Sequence, residues 1–141
     1  MKLNWSLEEK KLDLAYNWKI SRNESTHKTN FIIHLADGKV SAMGETAPNI
    51  RYNETIEKLK EEFDSFIQAG AQSIQNLDSL EKILAEVQLS NSLRFGIESA
   101  YFHYYSKEKN TSIYNLLGIP SPTAIYTSYT IPIMEVDTVK T

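Results

Sequence analysis

Three histidines, two carboxylates in polar stretches and one run of aromatics are the side chains here with chemistry to offer beyond folding. His27, His34 and His103 titrate nearest to neutral pH, yet they lie far apart along the chain. His34 alternates with apolar residues in "FIIHLA" and His103 stands inside "AYFHYY", so both read as structural, while His27 sits in a polar connection and reads as solvated. Glu24 and Glu45 are candidate acids without an evident partner. Tyr101, Phe102, Tyr104 and Tyr105 offer an aromatic platform, but at helical spacing such a run is more often core. The five glycines are scattered, so there is no phosphate-cradling loop, and neither Gly-x-Ser-x-Gly nor His-Glu-x-x-His occurs. With no cysteine, thiolate catalysis, disulfides and cysteine metal sites are excluded. Read from its own residues, the chain holds no catalytic machine.

The elements that position these residues follow from periodicity. The 141 residues suit one domain with a real core. At 41% apolar and 23% charged, with a net charge of −3 and the two signs interspersed, the balance is that of a soluble domain without a nucleic-acid surface. No membrane span or secretory leader is read in it, and the cytoplasm is the expected location. Leu3, Trp5 and Leu7 alternate, as do Leu12, Leu14, Tyr16 and Trp18, and the change of parity across "EEKK" predicts a turn, bulge or break there. "TNFIIHLA" (29–36) and "KVSAMGE" (39–45) are two further strands joined by Asp37-Gly38, a hairpin-turn dipeptide. After Pro48 the period becomes helical. Ile56, Leu59, Phe63 and Phe66 define one helix that Gly70 stops, with Lys58–Glu62 and Lys60–Asp64 expected as ion pairs on its other face. Leu77, Leu80, Leu84 and Val87 define a second, capped by Asn76 or Asp78. A third starts near Ser90 or Ser92, and "SIYNLLG" makes a short fourth. The fold class is therefore α+β, a three-stranded antiparallel meander followed by a helical bundle packed on one face.

Two long polar connections stand out from that scaffold. One covers residues 19–28 between the first two strands, and the other covers residues 46–54 between the third strand and the first helix. Both leave the sheet on turn-prone residues, and loops of this length on a rigid scaffold commonly carry function.

"GETAP…RYNET" (44–48 and 51–55) resembles the Gly-Glu-x-x-Pro and Tyr-x-Glu-Thr signature of the enolase superfamily, in its muconate-lactonizing and dipeptide-epimerase branch. "LRFGIESAYFHYYSKEKNTSIYNLLGI" (93–119) is similar to that branch's long helix and its Leu-Leu-Gly end, "FIIHLADGKVSAMGE" fits the hairpin between, and "WKISR" (18–22) resembles the entry to a first specificity loop. The order and spacing of these stretches, rather than any one of them, carries the resemblance across essentially the whole chain. Two departures are His103, where most members carry Asp at a structural position, and Gly96, where alanine is usual. A glycine inside a helix costs about 1 kcal/mol, so Gly96 marks close packing.

The resemblance implies a capping domain over residues 1–120, then a linker and the first strand of a (β/α) barrel over residues 121–141. A complete barrel takes about 250 residues, so the rest of it is expected outside this chain. In such enzymes a barrel lysine removes the proton beside a substrate carboxylate and Mg²⁺ stabilises the enediolate. The metal is needed because that proton is otherwise too weakly acidic for a side-chain base. Mg²⁺ and the catalytic residues are thus expected in the absent barrel, with none on this chain. The parent's implied activity is Mg²⁺-dependent epimerisation of a dipeptide of the L-Ala-D/L-Glu type. Muconate cycloisomerisation, o-succinylbenzoate synthesis and N-acylamino-acid racemisation are the alternatives within the branch, and a stand-alone non-catalytic binding domain is the alternative outside it. Substrate contacts are carried over to Ile20 and Arg22 in the first loop, to Ile50, Arg51 and Tyr52 in the second, and to Thr130 on the final strand. Arg22 either pairs with a substrate carboxylate or is solvated, and Tyr52 either walls the substrate or packs as scaffold. The implied partners are a small carboxylate or dipeptide and the protein's own barrel, with a homo-oligomer compatible, and neither nucleic acid nor membrane.

Overall fold

The computed structural model describes residues 2–20, 23–128, 131 and 133, and of Ile20 and Asn23 only the backbone. Three strands, β1 (Asn4–Ile20), β2 (Asn23–Ala36) and β3 (Ser41–Thr46), form an antiparallel sheet in the order β1-β2-β3. Helices α1 (Ile56–Gln68), α2 (Leu77–Glu86), α3 (Asn91–Glu108) and α4 (Ile113–Leu117) follow. Strands come first and helices after, as the change of period predicts. Among the described residues no helix is long and apolar enough to cross a membrane.

The core lies between one face of the sheet and the helices. Phe31, Ile33 and Leu35 of β2 are fully buried and alternate with the outward-facing Asn30, Ile32 and His34. Leu59, Phe63 and Phe66 of α1 and Leu80 and Leu84 of α2 close over them. Trp5 meets Phe66 edge-on at 5.1 Å, and its indole N–H donates to the Ala71 carbonyl at 3.1 Å. Thr55 caps α1 by accepting from the Lys58 N–H, and Asn76 and Ser79 cap α2 reciprocally. From α3, Leu93, Ile97, Ala100, Tyr101 and Tyr104 are buried, so two members of the aromatic run are core as expected.

The β2–β3 turn is tied to α3 through one carboxylate. Gly38 supplies the positive φ of +89° that the turn requires. Asp37 Oδ1 accepts the Lys39 and Val40 N–H groups, each at 2.8 Å, while Tyr104 donates its hydroxyl to Oδ2 at 2.9 Å. The Val40 N–H, followed by that of Lys39, holds the Asp37 carboxyl below its ordinary value of 3.8. A depressed folded pKa contributes stability that is fully present above the unfolded value and lost as pH falls through the folded one. Urea midpoints measured across acidic pH are therefore expected to fall less steeply for Asp37→Asn than for the native chain below about pH 4, because the substituted side chain does not titrate.

α3 also covers the free edge of β3. His103 Nδ1 lies 3.2 Å from the Met43 N and 3.1 Å from its carbonyl oxygen, and the Lys107 ammonium donates to the Ser41 carbonyl at 2.8 Å. An otherwise bare strand edge is thereby closed to another chain. His103 is structural, as its setting suggests, and so is His34, whose Nε2 lies 2.9 Å from Glu8 on the outer face of the sheet.

Three expectations are corrected. First, β1 does not break at "EEKK", since Glu8 to Lys11 pair in register with Ile32 to Thr29. The parity of apolar residues changes because the strand leaves the core there. The irregularity comes later, where residues 14–17 lie opposite Thr26. Second, the described part of the first connection, residues 19–20 and 23–28, is strand rather than loop. Lys19 pairs with Glu24 and Ile20 with Asn23, so β1 and β2 run on as a two-stranded ribbon about eight residues beyond the end of β3, roughly 25 Å at strand spacing. Third, Lys60 does not pair with Asp64. Its ammonium reaches Glu9 on β1 at 2.6 Å and lies over the Phe31 ring, whereas Lys58 and Glu62 do pair, at 3.7 Å. The first part of the expected final strand, residues 124–128, takes no strand pairing and is exposed, and Ile133 donates its N–H to the Lys19 carbonyl at 2.9 Å. The "EVDTVKT" segment lies outside the described residues.

Candidate functional site

The second connection is a tight turn rather than a loose loop. Asn49 accepts the Arg51 N–H on its side-chain oxygen at 3.1 Å, and its carbonyl takes the Tyr52 N–H at 2.9 Å. Residues Ile50–Tyr52 form one turn of 3₁₀-helix, which ends at Asn53 in the left-handed conformation, φ 57°. Asparagine tolerates that region better than most residues. Lys58 donates to the Asn53 carbonyl at 3.2 Å from the first turn of α1.

Glu54 fastens this turn to the helix behind it. Its carboxylate, 5% exposed, accepts the Asn49 N–H at 3.0 Å on one oxygen and the Ser92 N–H at 3.3 Å on the other. Glu62, in the second turn of α1, does the same, accepting the Ser90 N–H at 2.7 Å and the Ser90 hydroxyl at 2.9 Å. Two carboxylates thus satisfy N–H groups at the start of α3, where the helix dipole favours negative charge.

The turn presents its apolar side chains outward. Ile50 is 75% exposed and Tyr52 is 74% exposed. Tyr52 forms one wall of an open cleft of about 640 Å³ between the end of β3 and the start of α3, and Phe95, 66% exposed, forms another. Glu45, Thr46 and Glu54 also border it. Glu45 accepts from the Asn30 amide at 2.6 Å, and Glu24, on the ribbon, accepts from the Asn17 amide. Both carboxylates have amide partners, and no lysine, arginine or histidine lines the cleft among the described residues. The arrangement is suited to holding and shielding a ligand rather than to moving a proton. Among the described residues, moreover, no three His, Asp or Glu side chains converge to fit a metal ion.

Of the residues singled out by resemblance, Ile50, Arg51 and Tyr52 come together on this turn, all exposed. Ile20 ends β1, with only its backbone described, while Arg22 and Thr130 lie outside the described residues. The ribbon and the turn do leave the same end of the sheet, since Phe31 pairs with Thr46 and β2 runs on past it. Glu54, Thr46, Ser92 and Phe95 were not among the expected substrate contacts, although Thr46 and Glu54 stand inside the two motifs that carry the resemblance and Phe95 is a large aromatic off the apolar face of α3.

No family model matches the chain. An L-Ala-D/L-amino acid epimerase of Maribacter sp. (strain HTCC2170 / KCCM 42371) is 28% identical over 140 residues, spanning 94% of this chain and 40% of that protein. A dipeptide epimerase from Cytophaga hutchinsonii, solved with Mg and D-Ala-L-Val, superposes with a TM-score of 0.81 at 18% identity, over 96% of this chain and 38% of its own. An enolase family member from Agrobacterium tumefaciens with homology to dipeptide epimerases, solved with sodium and L-Ala-L-Glu, gives 0.76 at 24% identity, over 97% and 40%. The resemblance to the dipeptide-epimerase branch is borne out, and the fold is that of the N-terminal portion of those structures. The chain spans about 40% of the length of the relatives it matches.

Proposed function

We propose that this chain is the capping domain, with the approach to the first barrel strand, of a cytoplasmic dipeptide epimerase of the L-Ala-D/L-Glu type. The observation that carries the reading is the similarity to an L-Ala-D/L-amino acid epimerase along nearly the whole chain, 140 residues. The domain's own work is recognition and shielding. Ile50 and Tyr52 wall the substrate, and the Arg51 guanidinium pairs with a substrate carboxylate. Ile20, Arg22 and Thr130 are further substrate contacts on this reading, carried over from the resemblance alone. Excluding water strengthens each of these polar contacts. Mg²⁺ finds no fitting set of ligands among the described residues, so this reading assigns no step through it to the chain and places it, with the proton-abstracting lysines, in the partner barrel.

The test is exchange of the α-proton in D₂O, followed by proton NMR. The intact protein carrying this chain, given Mg²⁺ with L-Ala-L-Glu or L-Ala-D-Glu, is expected to exchange the glutamate α-proton and interconvert the two peptides. The 141-residue chain alone is expected to do neither. Turnover by the chain alone, or an intact protein inert toward every dipeptide offered, would overturn the proposal.

A further inference from the structure

The Tyr52–Phe95 cleft offers a ligand apolar surface and little else. Its floor is closed to hydrogen bonding, because the Thr46 and Ser92 hydroxyl oxygens are buried out of reach and the Glu54 carboxylate, 5% exposed, is engaged by the Asn49 and Ser92 N–H groups. What stays open is the two rings, Ala47 and the neutral amides of Asn49 and Asn91, with the Glu45 carboxylate at the border. Most of the surface that lines the cleft is apolar. Phe95 has no part in the core that would explain it. It stands off the buried face of α3, 66% exposed, while Leu93, Ile97 and Ala100 of the same helix are core.

Size and charge decide which part of a dipeptide suits such a cleft. Two exposed rings in one concave site gain most from an apolar guest, since covering them removes apolar surface from water on both partners. At about 640 Å³ the cleft is far larger than a methyl group and has room for a leucine or phenylalanine side chain. Glu45 and Glu54 border it, and no basic side chain lines it among the described residues, so a carboxylate is repelled. In epimerisation of the L-Ala-D/L-Glu type, the residue that loses its α-proton stands beside the terminal carboxylate and carries the glutamate side chain as well. Neither of its carboxylates suits this cleft, which leaves the side chain of the dipeptide's first residue.

We propose that the Tyr52–Phe95 cleft is a subsite for a large apolar side chain on the first residue of the dipeptide, with Phe95 as a specificity-determining residue. The enzyme then acts on peptides that carry leucine or phenylalanine before the glutamate in preference to those that carry alanine. As a statement about substrate this rests on the epimerase reading above. As an apolar binding site it stands without that reading.

The experiment has two arms. In the first, the ¹⁵N-labelled 141-residue chain is titrated and its amide resonances are followed. N-acetyl-L-phenylalanine amide is expected to move the amides of Ala47, Asn49, Tyr52 and Phe95 at concentrations about tenfold below those that N-acetyl-L-alanine amide needs, the difference a large apolar side chain makes. N-acetyl-L-glutamic acid amide, with its charged side chain, is expected to leave them in place. Phe95→Ala should remove the advantage of phenylalanine over alanine at unchanged Tm, the side chain being exposed. In the second arm, the intact protein carrying this chain, with Mg²⁺, is expected to show a kcat/KM for L-Leu-L-Glu about tenfold above that for L-Ala-L-Glu. Phe95→Ala should cut that ratio to about twofold or less, chiefly by raising KM for L-Leu-L-Glu, whereas a purely structural Phe95 would change both substrates alike. Equal kcat/KM for the two peptides, or a preference that Phe95→Ala leaves intact, would overturn the proposal. Selective binding of the phenylalanine amide by the chain, together with an intact protein inert toward every dipeptide, would overturn the epimerase reading and leave the apolar site standing.

Discussion

Gly44→Ala is expected to destabilise the domain by about 3 kcal/mol or more, at the upper end of what overpacking costs. A Cβ at Gly44 would lie 2.2 Å from the Gly96 carbonyl oxygen and 2.6 Å from the Ala100 N. Both are backbone atoms of α3, which no side-chain rotation moves aside, so the whole helix has to lift from β3. Gly96→Ala provides the contrast. Its nearest neighbour is the Ile33 Cδ1 at 2.9 Å, the far end of a flexible side chain, followed by the Thr46 Cβ at 3.0 Å. The substitution also recovers about 1 kcal/mol of helix propensity, which leaves a net loss nearer 1 kcal/mol. Gly38→Ala meets nothing within 4 Å and suffers only from its positive φ, again about 1 kcal/mol. Urea unfolding with linear extrapolation should therefore rank Gly44→Ala well below the other two. A Gly44→Ala midpoint equal to the native one would show that β3 and α3 do not approach this closely. The effect reaches the cleft, because β3 ends at Thr46 and the Ser92 that faces it rides on α3.

The same pair of glycines shows what was legible in the sequence. Gly96 is conspicuous because a helix interior has no other use for it, and it correctly marks a close approach. Gly44 looks like any strand glycine until the helix opposite it is known. β2 and the first three helices were readable because burial imposes a period on each of them, while the Asp37-Gly38 turn and α4, which buries nothing, were marked by their glycines. The ribbon beyond β3 was not. Its residues 24–30 are polar and none is fully buried, so no alternation distinguishes them from a polar loop, and only backbone pairing with β1 makes them strand. Lys60 was misassigned for a related reason. Helical spacing offers Asp64, but Glu9 arrives from a strand whose distance along the chain hides it. The exposed turn residues Ile50, Arg51 and Tyr52 were reached through resemblance. Glu54 stands in the same resembling motif, but its bracing role was not legible, because it joins its turn to Ser92 across 38 residues with a side-chain-to-backbone bond that has no local signature.

That bond carries the second large effect. Glu54→Ala is expected to cost about 2–3 kcal/mol, since it leaves the Asn49 and Ser92 N–H groups without their charged acceptor in a largely buried setting. Glu54→Gln retains one carbonyl acceptor and is expected to lose about half as much. Stability alone does not separate a buried brace from a group that sets the geometry of a recognition turn, so amide hydrogen exchange is the informative measurement. If Glu54 fastens the turn, exchange at Tyr52 and Asn53, whose N–H groups bond to Asn49 and Ile50 carbonyls inside it, should accelerate in Glu54→Ala by more than the drop in global stability explains. Amides deep in β2, such as those of Ile33 and Leu35, should accelerate only by the global amount. On the proposed function, the same variant in the intact protein is expected to raise KM more than it lowers kcat, because in that proposal the turn contacts substrate without touching the proton that moves. Uniform acceleration across both sets of amides would reduce Glu54 to a core brace. A local loosening confined to residues 49–53 would establish that this exposed turn is held in place from the start of α3, by a carboxylate that itself borders the cleft.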